Sequence, residues 1–240
     1  MMILNRFECN LRRAMRTMLT LLIAVSLIPT PSLAADPSGI EVDKEKRTVA
    51  VDAKIAPRKM PYLDKIYPIE VIACFAYNGP IKGEKAHETV VTIEATPSNV
   101  HKALESLGLK VGKIADVQND KPAEGPELNV YIEFPREDGS KKRVLVNQIL
   151  LDIKTGKPLP KSVKFHFTGS EMIQVDPSKP DLSYGADQSG TLIAIFPVTP
   201  KTVMQSTLTM KEEKYVKLET DKKVLPKEGT PVKLILEVPH

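Results

Sequence analysis

Tryptophan is absent from this 240-residue chain, and aromatic residues make up only 5 % of it. Any platform for stacking sugars or bases would have to come from six Tyr and six Phe, which weighs against recognition by stacking. Net charge is also scarce. The formal value is +4, but Arg6, Arg12, Arg13 and Arg16 against Glu8 place +3 of it in the first 35 residues. The remainder is near +1, so bulk charge gives no case for nucleic-acid binding. Cysteine is limited to Cys9 and Cys74. Cys74 lies in the apolar run "IEVIACFAY" with no adjacent cation to activate it, which predicts a buried, inert thiol. The chain also lacks a Walker loop, a G-x-G-x-x-G turn, a C-x-x-C pair and a G-x-S-x-G elbow. Nucleotide, dinucleotide, iron–sulfur and serine-hydrolase chemistry therefore have no motif support, and no cofactor is implied.

What is present begins with an export pattern. The basic start is followed by the apolar stretch Met18–Ile28, "MLTLLIAVSLI", too short to span a bilayer core. "PTPSLAADP" then offers Ser32 and Ala34 in an A-x-A-like relation. Residues 1–35 read as a secretory signal peptide. If it is removed, Cys74 has no intramolecular disulfide partner, and no later apolar run is long enough to cross a membrane. The expected location is periplasmic or extracellular.

Residues 36–240 read as one domain rich in short strands. "TVAVDAKI", "LNVYIEF", "VKFHFTG", "YVKLET" and "PVKLILEV" alternate or nearly alternate apolar and polar positions, whereas "TLIAIF" is continuous, as in a strand covered on both faces. "YNGP", "EDGS", "KTGKP" and "KEGTP" supply turns between them, and "REDGSKKR" has the composition of a hairpin tip. One helix is well marked, over 97–107. Thr96 caps it, Pro97 takes its first position, Gly108 closes it, and Val100, Ala103, Leu104 and Leu107 form its apolar face. "VTPKTVMQ" repeats the Thr-Pro opening and suggests a second helical turn; "LVNQILLD" fits helix or strand. The expected fold is a β-rich α+β domain with a mixed or antiparallel sheet and the 97–107 helix packed on it.

The polar residues that stand out are few. His87 and Glu88 open the strand-like run "HETVVTI"; in a regular strand their side chains diverge, His87 sharing a face with Thr89. "HETVV" lacks the second His of a metalloprotease helix. His101 and Glu105 make an ordinary i,i+4 surface pair. His166 alternates against Phe165 and Phe167 and is the better partner for His87 across strands. A metal set could draw on His87 and His166 with Glu88 or Asp187, two imidazoles and a carboxylate being a legitimate zinc or iron shell.

Taken in order, "KAHETVVTIEATPSNVHKALESLGLKVG", "FHFTGS" and "YGADQSGTLIAIF" after a signal peptide resemble the YdjY-like domain of uncharacterised secreted bacterial proteins. The resemblance spans roughly residues 40–238. It implies no established reaction, and the cysteine clusters of some members are missing here. By position it singles out His87, Glu88, Thr89, Gly169, Ser170, Tyr184, Asp187 and Gly190. Together with His166, these side chains are the candidate site. They fit either a pocket at strand ends or a set of fold-determining turns, with Gly169 and Gly190 supplying unusual backbone angles, Asp187 bonding its own loop, and His87 and Tyr184 joining strands. The leading expectation is a non-enzymatic module that binds a small ligand or an envelope protein. The alternatives are a metal-dependent, hydrolase-type enzyme built on His87 and His166, and a purely structural envelope protein.

Overall fold

The computed structural model describes residues 39–61, 63–76 and 85–239. The signal-peptide assignment for 1–35 and the "YNGP" turn lie outside the described residues. In chain order the elements are β1 (Ile40–Asp43), β2 (Thr48–Ile55), β3 (Val71–Phe75), β4 (Thr89–Ile93), α1 (Pro97–Ser106), β5 (Glu127–Pro135) and β6 (Lys141–Leu145). There follow α2 (Val146–Ile149), β7 (Leu150–Asp152), β8 (Phe165–Phe167), β9 (Met172–Gln174), β10 (Leu182–Tyr184) and α3 (Gly185–Ser189). The last are β11 (Thr191–Ala194), β12 (Thr202–Ser206), α4 (Met210–Glu213), β13 (Leu218–Thr220) and β14 (Pro231–Glu237).

The expected sheet is not open. Its strands run β2-β14-β5-β8-β12-β11-β3-β4 and return to β2, closing a barrel of eight staves. Pairing is antiparallel except for β3–β4 and β11–β12. Closure depends on two forked strands. One edge of β2 is shared between β1 and, through Ala53–Ile55, β4. One edge of β5 is shared between β8, at Glu127 and Leu128, and β6. Closing the ring in this way leaves fewer bare strand edges than an open sheet would.

Period-two alternation decides what fills the barrel. Val49, Val51, Ala53 and Ile55 of β2, Leu128, Val130, Ile132 and Phe134 of β5, and Val232, Leu234 and Leu236 of β14 are at most 7 % exposed. Their neighbours along β5 are half-buried. The interior is thus packed with side chains, the larger of them each contributing about 1.5–3 kcal/mol of burial.

The two barrel ends are covered differently. α1 touches β1, β2 and β12. Because β2 and β12 stand on opposite sides of the ring, the helix lies across a barrel end as a plug rather than along a sheet face. Its Thr96 cap accepts from Asn99 N–H, and Val100, Ala103 and Leu104 point into the core. α3 packs beside it. At the opposite end, where β2 and β5 finish and β3 and β4 begin, sit α2 and the two-stranded β7–β13 ribbon, tied on by Ile69 N–H to the Leu218 carbonyl at 2.8 Å.

Two local expectations need correction. "VTPKTVMQ" contains no helical turn; Thr202–Ser206 form β12, fully buried between β8 and β11, so sheet pairing overrides the Thr-Pro signal. "LVNQILLD" divides between α2 and β7, and both readings describe part of it. The "REDGSKKR" tip forms as expected, with Gly139 N–H bonded to the Arg136 carbonyl at 3.0 Å.

Because Leu104 is the fully buried centre of the plug, Leu104→Ala should lower the unfolding free energy by about 3 kcal/mol. Urea denaturation followed by circular dichroism measures this; a loss below about 1 kcal/mol would mean that α1 does not seal the barrel.

Candidate functional site

At the capped end, Ala86–Glu88 form a 3-10 turn before β4 begins. The alternation expected at His87 and Glu88 therefore does not apply. The turn brings the two side chains together, with His87 Nε2 3.3 Å from Glu88 Oε1. His87 is 9 % exposed, and its ring meets Tyr67 edge-on at 5.2 Å. Its Nδ1 is buried without a hydrogen-bond partner among the described residues. Thr89, wholly buried, donates to the Lys85 carbonyl at 2.5 Å.

The residue that organises this end is Arg58, which sequence reading passed over in the polar run "APRKMPY". It is 5 % exposed. Its Nε and Nη2 grip both carboxylate oxygens of Glu219 on β13 at 2.9 and 3.1 Å. It also donates to the carbonyls of His87 and Tyr67. One guanidinium thus fastens β13 to the segments that lead into β3 and β4. Burial pushes the Glu219 carboxyl up, but the Arg58 hydrogen bonds, the Thr220 N–H and the guanidinium charge outweigh it and hold the group below its ordinary value.

Beside this fastening, Glu70 and Glu88 stand next to each other at the starts of β3 and β4, Glu70 N–H bonding the Glu88 carbonyl at 3.0 Å. Burial, then the charges of Glu88 and Glu213, raise the Glu70 carboxyl, against opposition from Lys217 and Lys85. Cys74 is buried as expected, and burial pushes its thiol up.

The remaining candidates lie elsewhere. His166 sits on β8, four staves around the ring from β4. Its neighbours Phe165 and Phe167 face the core while its Nδ1 bonds the Gly125 carbonyl at 2.8 Å. Ser170, Tyr184 and Asp187 belong to the plug end. There His101, read from sequence as a plain surface pair, is the hub. Tyr184 Oη lies 2.6 Å from His101 Nδ1 and accepts from Ser170 N–H at 3.2 Å. His101 Nε2 lies 3.3 Å from Glu105 Oε1, as the i,i+4 spacing predicts. Burial, with Asp187 and Glu105 adding to it, raises the Tyr184 phenol despite the Ser170 N–H. The phenol therefore stays protonated and can donate to Nδ1.

Asp187 does not bond its own loop; its Oδ1 accepts from Ser98 N–H at 2.8 Å in the first turn of α1. Gly169 has φ +66°, and an added Cβ there would come within 2.8 Å of Val111 and 3.5 Å of the His101 ring. A side chain at 169 would be strained at this backbone angle and would force Val111 to shift, while meeting the His101 ring at ordinary contact distance.

The motif residues thus separate into a capped-end group (His87, Glu88, Thr89) and a plug-end group (Ser170, Tyr184, Asp187), with His166 on an outer wall. The set of His87 and His166 with Glu88 or Asp187 is not assembled. Among the described residues no three His, Cys, Asp or Glu side chains converge to hold a metal ion.

One cleft adjoins Arg58. It lies between the barrel end and the loop after β13, has a volume of about 260 Å³, and is walled by Ile55, Val90 and Leu225 with Lys222, Lys227 and Glu228 at its exposed rim. No described helix is long and apolar enough to cross a membrane.

The YdjY domain family model matches residues 40–237, nearly the whole barrel with both of its closures. No curated protein and no solved structure shows a significant match.

Two outcomes are expected. Arg58→Met should cost about 3 kcal/mol, because it leaves a partly buried carboxylate and two carbonyls without their donor. His87→Leu should change stability by less than about 1 kcal/mol, since it also removes the unpartnered Nδ1. Thermal melts of both proteins decide whether Arg58 or His87 holds this end. Glu70→Gln should stabilise the fold at neutral pH. A carboxyl raised in the folded state opposes folding only where it ionises. The gain should therefore be present above the folded value and fade as pH falls toward the ordinary 4.5. A gain that persists unchanged in acid would contradict it.

Proposed function

We propose that this chain, a member of the YdjY-domain family, is an exported, non-enzymatic binding module whose ligand occupies the cleft beside Arg58. The export half of the reading rests on the amino-terminal pattern of Arg6–Arg16, Met18–Ile28 and Ala34. It places the protein in the periplasm or outside the cell. The binding half rests on one observation: a small cleft, just below the roughly 300–1,000 Å³ range of ligand sites, has the buried Arg58 among its lining residues next to an apolar wall.

A lining residue that is already fixed in place favours binding because little freedom remains to be lost when a ligand arrives. Fixing a charge this firmly also has a purely structural use, the fastening of β13. What favours a ligand beyond that use is the apolar wall next to the charge. Leu225, with the more deeply buried Ile55 and Val90, lines the cleft along with Arg58 and offers burial to a hydrocarbon group.

Native mass spectrometry of the mature protein, purified gently from its own host, provides the test. A stoichiometric small-molecule adduct should accompany the wild type and be absent from Leu225→Trp, whose indole would fill the cleft. An adduct-free wild type, or one whose adduct survives in Leu225→Trp, would sink the assignment to this cleft. Fusing residues 1–35 to a reporter that is active only outside the cytoplasm tests export, and an inactive fusion would remove it.

A further inference from the structure

We infer that copies of this barrel associate head to tail, the β9–β10 ribbon of one copy docking on the basic end of the β7–β13 ribbon of the next. Neither surface belongs to the Arg58 cleft.

The first surface is an arm at the plug end. β9 and β10 form a two-stranded ribbon of three residue pairs outside the barrel sheet. Tyr184 ties its base to His101 of α1, and Gly185 N–H bonds the Glu171 carbonyl at 2.9 Å. Met172 and Gln174 share a face with their cross-strand partners Tyr184 and Leu182. Met172 and Leu182 are therefore diagonal neighbours on one face, and each is more than half exposed. Val175, just beyond β9, is exposed to a similar degree. So short a ribbon is marginal by itself, and the apolar side chains it offers to water gain from being covered. From Glu171 to Tyr184 the sequence sets Glu171, Asp176 and Asp181 against Lys179 alone. Lys179 pairs with Asp176 at 3.6 Å, which leaves Glu171 and Asp181 without an ion-pair partner among the described residues.

The second surface is a seat at the capped end. The loops after β7 and before β13 lie side by side, Ile153 N–H bonding the Lys217 carbonyl at 2.7 Å. Residues 153–157 and 214–217 present Ile153 and Tyr215, both more than half exposed, with four lysines and no carboxylate. Lys217 is paired with Glu213. Lys154, Lys157 and Lys214 are exposed and have no ion-pair partner among the described residues. Asp152 and Glu212 border the loops, and their carboxylates accept N–H groups of their own turns, from Lys154, Thr155 and Thr209. Asp120, whose field reaches Lys214, is paired with Lys211.

Only arm on seat brings apolar groups together with opposite charges around them. Arm on arm would oppose carboxylates and seat on seat would oppose ammoniums, and both juxtapositions cost affinity. Because the two surfaces lie at opposite ends of the barrel, a copy whose seat is covered still offers its arm. The contact is heterologous and repeats along a chain instead of closing as a two-fold dimer. It is small, in the weak class that buries less than about 1,200 Å², and salt screens it.

Sedimentation velocity of the purified mature protein at low ionic strength, up to about 1 mM, provides the test. The weight-average sedimentation coefficient should climb with concentration past the dimer value, and about 1 M salt should reverse most of the climb. Lys154→Glu with Lys157→Glu should weaken association at least ten-fold, and so should Glu171→Lys with Asp181→Lys. Mixed in equal amounts, these two proteins should associate again, because each offers the sign that the other lacks. Recovery in the mixture also shows that both variants are folded. A wild type that stays monomeric throughout the range would overturn the inference. So would a mixture no more associated than its components, variants that associate as the wild type does, or a wild type that stops at a dimer.

Discussion

A buried guanidinium that satisfies a carboxylate and two backbone carbonyls at once is the constraint on which the capped end of this barrel depends. Moving Arg58 out of water carries a penalty of several kcal/mol, and its four committed hydrogen bonds offset it. Those bonds reach β13, the turn before β4 and the segment before β3, which are far apart in sequence. The ribbon formed by β7 and β13 is only three residue pairs long. So short a ribbon needs tertiary anchoring, and Arg58 supplies it through Glu219. The same fastening holds the edge of the cleft beside the barrel, so the structural role and the proposed binding role share one side chain.

The plug end solves a similar problem by different means. Its connections are polar contacts around the His101 imidazole and the Tyr184 phenol, with Asp187 accepting from the first turn of α1. His101 carries the network from Glu105 to Tyr184 and on to the backbone at Ser170. The ring also meets Phe167, which projects into the core, edge-on at 5.0 Å. Helix and barrel interior are thereby joined. Every polar group named in this network has a protein partner, an arrangement suited to holding α1 and α3 in place. The capped end differs in leaving one buried imidazole nitrogen, His87 Nδ1, without a partner among the described residues.

Much of the fold was legible from local pattern. Alternation gave β2, β5 and β14, and the Thr-Pro opening with its apolar face gave α1 almost to the residue. His166 facing away from its phenylalanine neighbours followed from the pleat. The site was less legible. The divergence expected of His87 and Glu88 assumed that β4 began at His87, and a 3-10 turn intervenes. Nothing short-range in "KAHETVV" distinguishes that turn from a strand end. His101 Nε2 approaches Glu105 to 3.3 Å as its spacing predicts, but Tyr184 is 83 residues away and no periodicity reports it. Arg58 carried no signal at all, because an arginine between two prolines reads as exposed loop.

The sequence by itself determined the inward-facing residues, the helix limits, the buried state of Cys74 and the composition of the turns. Each of these depends on residues within about one turn or one strand of one another, where local sterics and the side-chain period act. Tertiary structure alone decided that the sheet closes, that α1 lies across its mouth, and that the motif residues divide between the two ends. Those outcomes rest on pairings such as Ala53 with Ile93 and Leu128 with Phe165, and on Arg58 with Glu219, 161 positions apart. Contacts at such separations form only when the whole chain has folded, so their energy leaves no mark on any short stretch of the sequence.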